Sequence, residues 1–149
     1  MSLRKYKAHL LKIRDEILKE VISDAHKIAL DAKALVKLRI QTTGTDSKGA
    51  QFLPYNPIYA KTGRRDKGYQ STRVDFTRTG RMLGSLHTKT ENRRGALVRV
   101  KVIPRGADNE KKLAGQYKKR GNILAVSDKE LSILKKTAND RLIKKILLL

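Results

Sequence analysis

From Leu10 to Leu38 apolar residues return every three or four positions, at Leu10, Ile13, Ile17, Val21, Ala25, Ile28, Ala32, Leu35 and Leu38, with no Gly or Pro among them. That spacing predicts one long helix, or two in direct succession. At about 1.5 Å per residue, roughly thirty residues reach on the order of 50 Å, longer than a domain of this size is wide. Part of the stripe therefore needs a partner, and Ile13, Ile17, Val21 and Ile28 are the candidate subunit interface. The alternative is that the N-terminal half of the helix folds back onto its own sheet.

The 149 residues make one domain by the usual length prior, with a helical arm at about 3–40 and a long loop at about 41–75. The helix ends between Leu35 and Thr43, because Val36-Lys37-Leu38-Arg39-Ile40 alternates and also fits the start of a strand. Residues 42–49, with Gly44 and Gly49, have turn composition, and Pro54 and Pro57 exclude a regular helix or central strand after them. So long a connection marks an interaction loop, or one ordered only by its neighbours.

A short helical turn is expected at Thr79–Leu83, then two strands at 84–90 and 96–103 joined by Glu91-Asn92-Arg93-Arg94-Gly95. Val98, Val100 and Val102 share one face of the second strand and Arg99 and Lys101 the other, so one side packs and one meets solvent or a charged partner. Residues 104–120 are polar and basic and read as a loop with little helix. Ser127 and Glu130 then form a capping box, with Val126 placed to staple against Leu131. Leu131, Leu134, Ala138, Leu142, Ile146 and Leu149 recur at helical spacing beyond it. The expected class is α+β: a long N-terminal helix, a long loop, a small antiparallel β-sheet built on a hairpin, and a C-terminal helix.

Lys and Arg number 35 against 14 Asp and Glu, a formal charge of +21, and every quarter of the chain is net positive. The protein should seek something anionic or sit beside an acidic partner. At 39% the apolar share is below the roughly 45–50% of ordinary globular chains. No cysteine is present, which excludes disulfides, thiolate metal sites and a cysteine nucleophile. Apolar runs such as Ile146–Leu149 are far short of the roughly 18 residues a membrane span needs. The basic Ser2–Lys7 stretch leads into a charged amphipathic helix, so neither a membrane partner nor a secretory signal is expected.

Chemistry-bearing constellations are not expected. His9, His26 and His87 lack the spacing of a zinc helix, so no metal or other cofactor is anticipated. Asp15, Glu16, Glu20 and Asp24 lie among Lys12, Arg14, Lys19 and Lys27, a pattern of solvated ion pairs rather than an acid–base couple. Gly80–Ser85 lacks the Lys-Ser/Thr pair of a phosphate loop and reads as a tight turn, with Gly80 supplying backbone freedom and Met82 or Leu83 an anchor. Tyr55 and Tyr59 read as loop anchors. The candidate contacts for DNA or an acidic partner are Arg64, Arg65 and Lys67 in one basic cluster, and Lys111, Lys112, Lys118, Lys119 and Arg120 in another.

Two stretches, Gly49-Ala50-Gln51-Phe52-Leu53-Pro54-Tyr55 and Val74-Asp75-Phe76-Thr77-Arg78-Thr79-Gly80-Arg81-Met82-Leu83-Gly84-Ser85-Leu86, carry a family pattern together with Ile123-Leu124-Ala125-Val126-Ser127-Asp128. In this order they resemble the virion morphogenesis, or tail-completion, proteins of Mu-like phages, over roughly residues 35–146. The Thr79–Ser85 stretch is the most specific. One departure is that family members often carry a Pro-Ala-Arg-Pro-Phe-like run before the last helix, where this chain has Lys119-Arg120-Gly121-Asn122-Ile123, with Arg120 the one counterpart.

The resemblance implies a non-enzymatic virion component at the neck or tail end, made in the host cytoplasm. Its implied partners are copies of itself in a ring around the DNA passage, neighbouring connector and tail proteins, and nonspecifically the packaged DNA. The net charge alone equally fits a basic nucleic-acid-binding or nucleoprotein component, and a salt series separates the two.

Overall fold

A computed structural model describes residues 3–94 and 97–147. The chain folds as an α+β unit. Helix α1 runs unbroken over Leu3–Thr43, 41 residues or about 60 Å. It stops where Gly44 turns left-handed at φ 67° and its N–H returns to the Ile40 carbonyl at 3.0 Å. A Cβ on Gly44 would stand 3.1 Å from the Val74 carbonyl, so the stop also lets residues 73–74 pass closely. Arg73 donates two hydrogen bonds to the Gln41 carbonyl there, satisfying an acceptor that the helix end leaves open.

The connection after α1 is largely irregular, as expected, and contains a π-helical turn at Tyr59–Arg64 and a 3-10 turn at Arg65–Lys67. Helix α2 (Arg81–Gly84) follows a left-handed Gly80, and both Met82 and Leu83 are buried beneath it. Strands β1 (Leu86–Arg94) and β2 (Leu97–Pro104) pair antiparallel with Leu86 opposite Pro104.

The expected connection at 91–95 is a correction, since β1 continues through Arg94. The register shifts between Thr90 and Asn92, which is how a bulge accommodates Glu91. The Glu91 carboxylate ion-pairs with Lys101 and, at 3.7 Å, with Arg99. Gly95, where the turn was expected to end, lies outside the described residues.

A second correction concerns residues 104–120. Ala107–Arg120 is a fourteen-residue helix, α3, with only Leu113 buried. Few apolar residues are needed on a helix that touches the core at one position. Its ends complement the helix dipole, with Asp108 and Glu110 in the first turn and Lys118, Lys119 and Arg120 in the last.

Helix α4 (Asp128–Ile146) starts at the expected capping box: the Ser127 N–H donates to Glu130 Oε2 at 2.7 Å and the Glu130 N–H to Ser127 Oγ at 3.2 Å. Its apolar stripe is mostly uncovered, for Leu134 is buried while Leu131 and Leu142 are exposed. Leu149, the last expected member, lies outside the described residues.

The core gathers Val36 and Ile40 of α1 with Phe52, Val74, Met82, Leu83, Leu86, Leu113 and Ile123. Helix α1 crosses the apolar face of the hairpin, where Ala29, Ala32 and Val36 share a groove with Val100 and Val102. His26 anchors the crossing by hydrogen bonds to the Thr88 and Thr90 hydroxyls at 2.8 and 3.0 Å. Helix α4 is tied alongside by Arg141 to Asp31 at 2.7 Å and by Arg39 to Glu130 at 2.9 Å. Arg39 also donates to the carbonyls of Thr45 and Ala125, joining three segments at the root of α1.

Candidate assembly arm and basic cleft

Two surfaces stand out, and the first is the N-terminal arm. Every residue from Leu3 to Ile17 is exposed. Of the candidate interface, Ile13 and Val21 are 39% exposed, Ile17 is 57% exposed, and Ile28 is half-buried where α1 reaches the body of the molecule. Only Val36 and Ile40 of the helix are buried. A solvated helix of fifteen or so residues is marginal in water, because nucleation is costly and each hydrogen bond gains little.

The second surface is a cleft of about 520 Å³ between the connection, the segment after Val74, and α3. Its floor is built on a buried ion pair. Arg64, 1% exposed, donates from Nη2 to Asp75 Oδ1 at 2.7 Å and from Nε to the Gln70 carbonyl. Its guanidinium lies 4.6 Å over the Tyr55 ring. The Tyr55 hydroxyl donates to Asp75 Oδ1 at 3.2 Å and accepts from the N–H groups of Asp75 and Phe76. Tyr55 thus anchors its loop, as expected, and burial raises its phenol above the ordinary value.

Burial alone would raise the Asp75 carboxyl, but hydrogen bonds from the Thr77 hydroxyl and N–H and the charge of Arg64 hold it below its ordinary value. Phe76, between these residues, is the one described non-glycine with positive φ, at 55°, and the network on either side holds it there. Tyr59 lies against Gly63, where any Cβ would come within 2.4 Å of its ring.

Around this floor stand Arg78, Lys112, Lys119 and Arg120, with Asn56, Thr79 and Gln116, and among the described residues no carboxylate lines the cleft. Positions 112, 116, 119 and 120 form one stripe of α3, so the helix carries Lys112, Lys119 and Arg120 into the cleft, while Lys111 and Lys118 are exposed and line none of it. Arg65 and Lys67 are exposed on the 3-10 turn, also outside the lining. Arg64 differs from the expected free surface cation: it lines the cleft but is 1% exposed, with its charge paired to Asp75. Arg78 was not among the expected contacts, and neither were Asp75 and Arg39. In sequence Arg78 is one cation in a basic connection, and only the packing of that connection on α3 selects it.

Among the described residues no group of three or more His, Asp or Glu side chains is placed to hold a metal ion, and no helix is long and apolar enough to cross a membrane. Comparisons with protein-family models, curated proteins and solved structures find no match to this chain.

Proposed function

We propose that the chain is a non-enzymatic structural protein of a phage virion, a tail-completion or neck component that assembles into a ring around the DNA passage. The observation that carries the assembly is the arm, fifteen exposed helical residues whose apolar stripe includes Leu10, Ile13 and Ile17. Full burial of such a side chain gains about 1.5–3 kcal/mol, and these, still about half exposed, gain part of that each, so that several together secure a subunit contact. A lone copy leaves that gain unrealised, and copies packed arm to body recover it. The virion assignment is supported by the order of the three motif stretches resembling tail-completion proteins. Connector and tail proteins are the proposed neighbours, and the net charge of the whole molecule supplies a field that draws DNA or acidic protein from a distance.

Sedimentation equilibrium of the full chain tests this, with an expected mass at a closed multiple of 16.9 kDa. Ile17→Asp combined with Val21→Asp should return the mass to one chain while circular dichroism of the body persists. A wild-type protein that stays a compact monomer sinks the reading. Duplex binding that is lost along a steep slope with salt, and with it every complex the protein forms, favours the nucleoprotein alternative.

A further inference from the structure

We propose that the basic cleft is a docking site for an acidic segment of a partner protein, whose carboxylates are held by Arg78, Arg120, Lys112 and Lys119. The proposal deepens the partner assignment above and rests on it only for where such a partner is met. Among the described residues none of these four cations pairs with a carboxylate, although other cations form ion pairs, such as Arg39 with Glu130 and Arg141 with Asp31. Arg120 is the most telling of them. Its Nη1 donates to Gln116 and its Nη2, at 3.3 Å, to the Leu53 carbonyl, while its Nε is buried with no hydrogen-bond partner. A buried donor left open costs free energy, so the Arg120 guanidinium sits in the cleft wall with its hydrogen-bonding capacity incompletely used.

Two features favour a peptide over nucleic acid. The aromatic rings already carry cations on their faces: Arg64 over Tyr55, Arg78 5.8 Å over Tyr59 and Arg120 5.8 Å over Phe76. Base stacking needs such faces free. Rings used in this way instead back the guanidinium planes of Arg78 and Arg120 and hold two cations at the cleft, where a carboxylate finds both charge and planar hydrogen-bond partners. A recess of about 520 Å³ also suits a few side chains, whereas a duplex backbone meets a protein along an extended surface.

The sorting of lysines on α3 supplies a test matched in charge. Fluorescence anisotropy of the full chain is followed with a short fluorescein-labelled peptide of alternating glutamate and leucine, its glutamine counterpart, and a single-stranded thymidine oligonucleotide of equal length. Lys112→Gln with Lys119→Gln should weaken the glutamate peptide by about tenfold or more, the loss of one or two charged hydrogen bonds. Lys111→Gln with Lys118→Gln removes the same charge from the same helix and should change affinity by less than about twofold. All four residues are exposed, so neither pair threatens folding.

Equal weakening by both pairs overturns the proposal in favour of diffuse charge. So does a glutamine peptide that binds as well as the glutamate one, an oligonucleotide that binds as tightly and depends on the inner pair, or no binding at all. Native mass is read on the same samples. A monomer that takes the peptide refutes the ring and keeps the cleft, and a ring that ignores the peptide does the reverse.

Discussion

Asp75 carries more of the cleft's architecture than any other single side chain, receiving Arg64, Tyr55 and both donors of Thr77. Removing one member of a buried ion pair strands the other charge, so Asp75→Asn should cost about 3–5 kcal/mol in denaturant unfolding. Replacing both members by apolar residues, Arg64→Met with Asp75→Leu, should cost much less. The pH dependence follows from the lowered carboxyl. The folded protein holds Asp75 ionised more strongly than the unfolded chain does, so its contribution is complete above the ordinary value of 3.8 and is lost as pH falls through the lower folded one. Acid unfolding of the wild type should therefore show a component that is missing from Asp75→Asn. An unchanged acid profile in that variant would show that other carboxylates set it.

At the scale of elements, the capping box of α4 is legible from four residues, because a cap is local: Ser127 and Glu130 need only each other. Ser127→Ala should cost about 1 kcal/mol of stability. Glu130→Ala should cost about 3 kcal/mol or more, since the same carboxylate, 6% exposed, receives Arg39. Equal losses in the two variants, measured by urea unfolding, would show that the Arg39 pairing contributes nothing.

That long-range half of Glu130's role had no local signal, and α3 had no apolar one. Apolar periodicity finds helices that bury a stripe, and α3 buries Leu113 alone. The signals it does carry, acids first, bases last, and Gly106 and Gly121 at the ends, are electrostatic and conformational. Reading residues 104–120 as a loop left five cations equivalent that the helix divides between a recess and open solvent. The middle of α1, by contrast, is legible because one pattern runs from Leu10 to Leu38, while its continuity and its end at Thr43 were left open by the alternating Val36–Ile40 stretch. The burial of Arg64 was not, since it depends on where a connection with no periodicity comes to rest.

For the whole molecule, a charge of +21 opposes any gathering of copies while the exposed stripe of α1 favours it. The two respond oppositely to salt. Raising ionic strength shortens the screening length from about 10 Å at 0.1 M to about 3 Å at 1 M and relieves repulsion without weakening apolar contact. The mean mass in sedimentation should rise with salt. A fall would mean that ion pairs, not the apolar stripe, hold the copies together.

Helix α1 is also a lever held only over its C-terminal half, where His26 bonds the hairpin, Asp31 pairs with Arg141, and Arg39 grips Glu130, Ala125 and Thr45. Along the roughly 35 Å from His26 to Leu3, a tilt of one degree sweeps the free tip by about 0.6 Å. The aim of the tip is thus set by side chains far from it, and loosening them would blur where the tip points while leaving the residues of the tip themselves untouched.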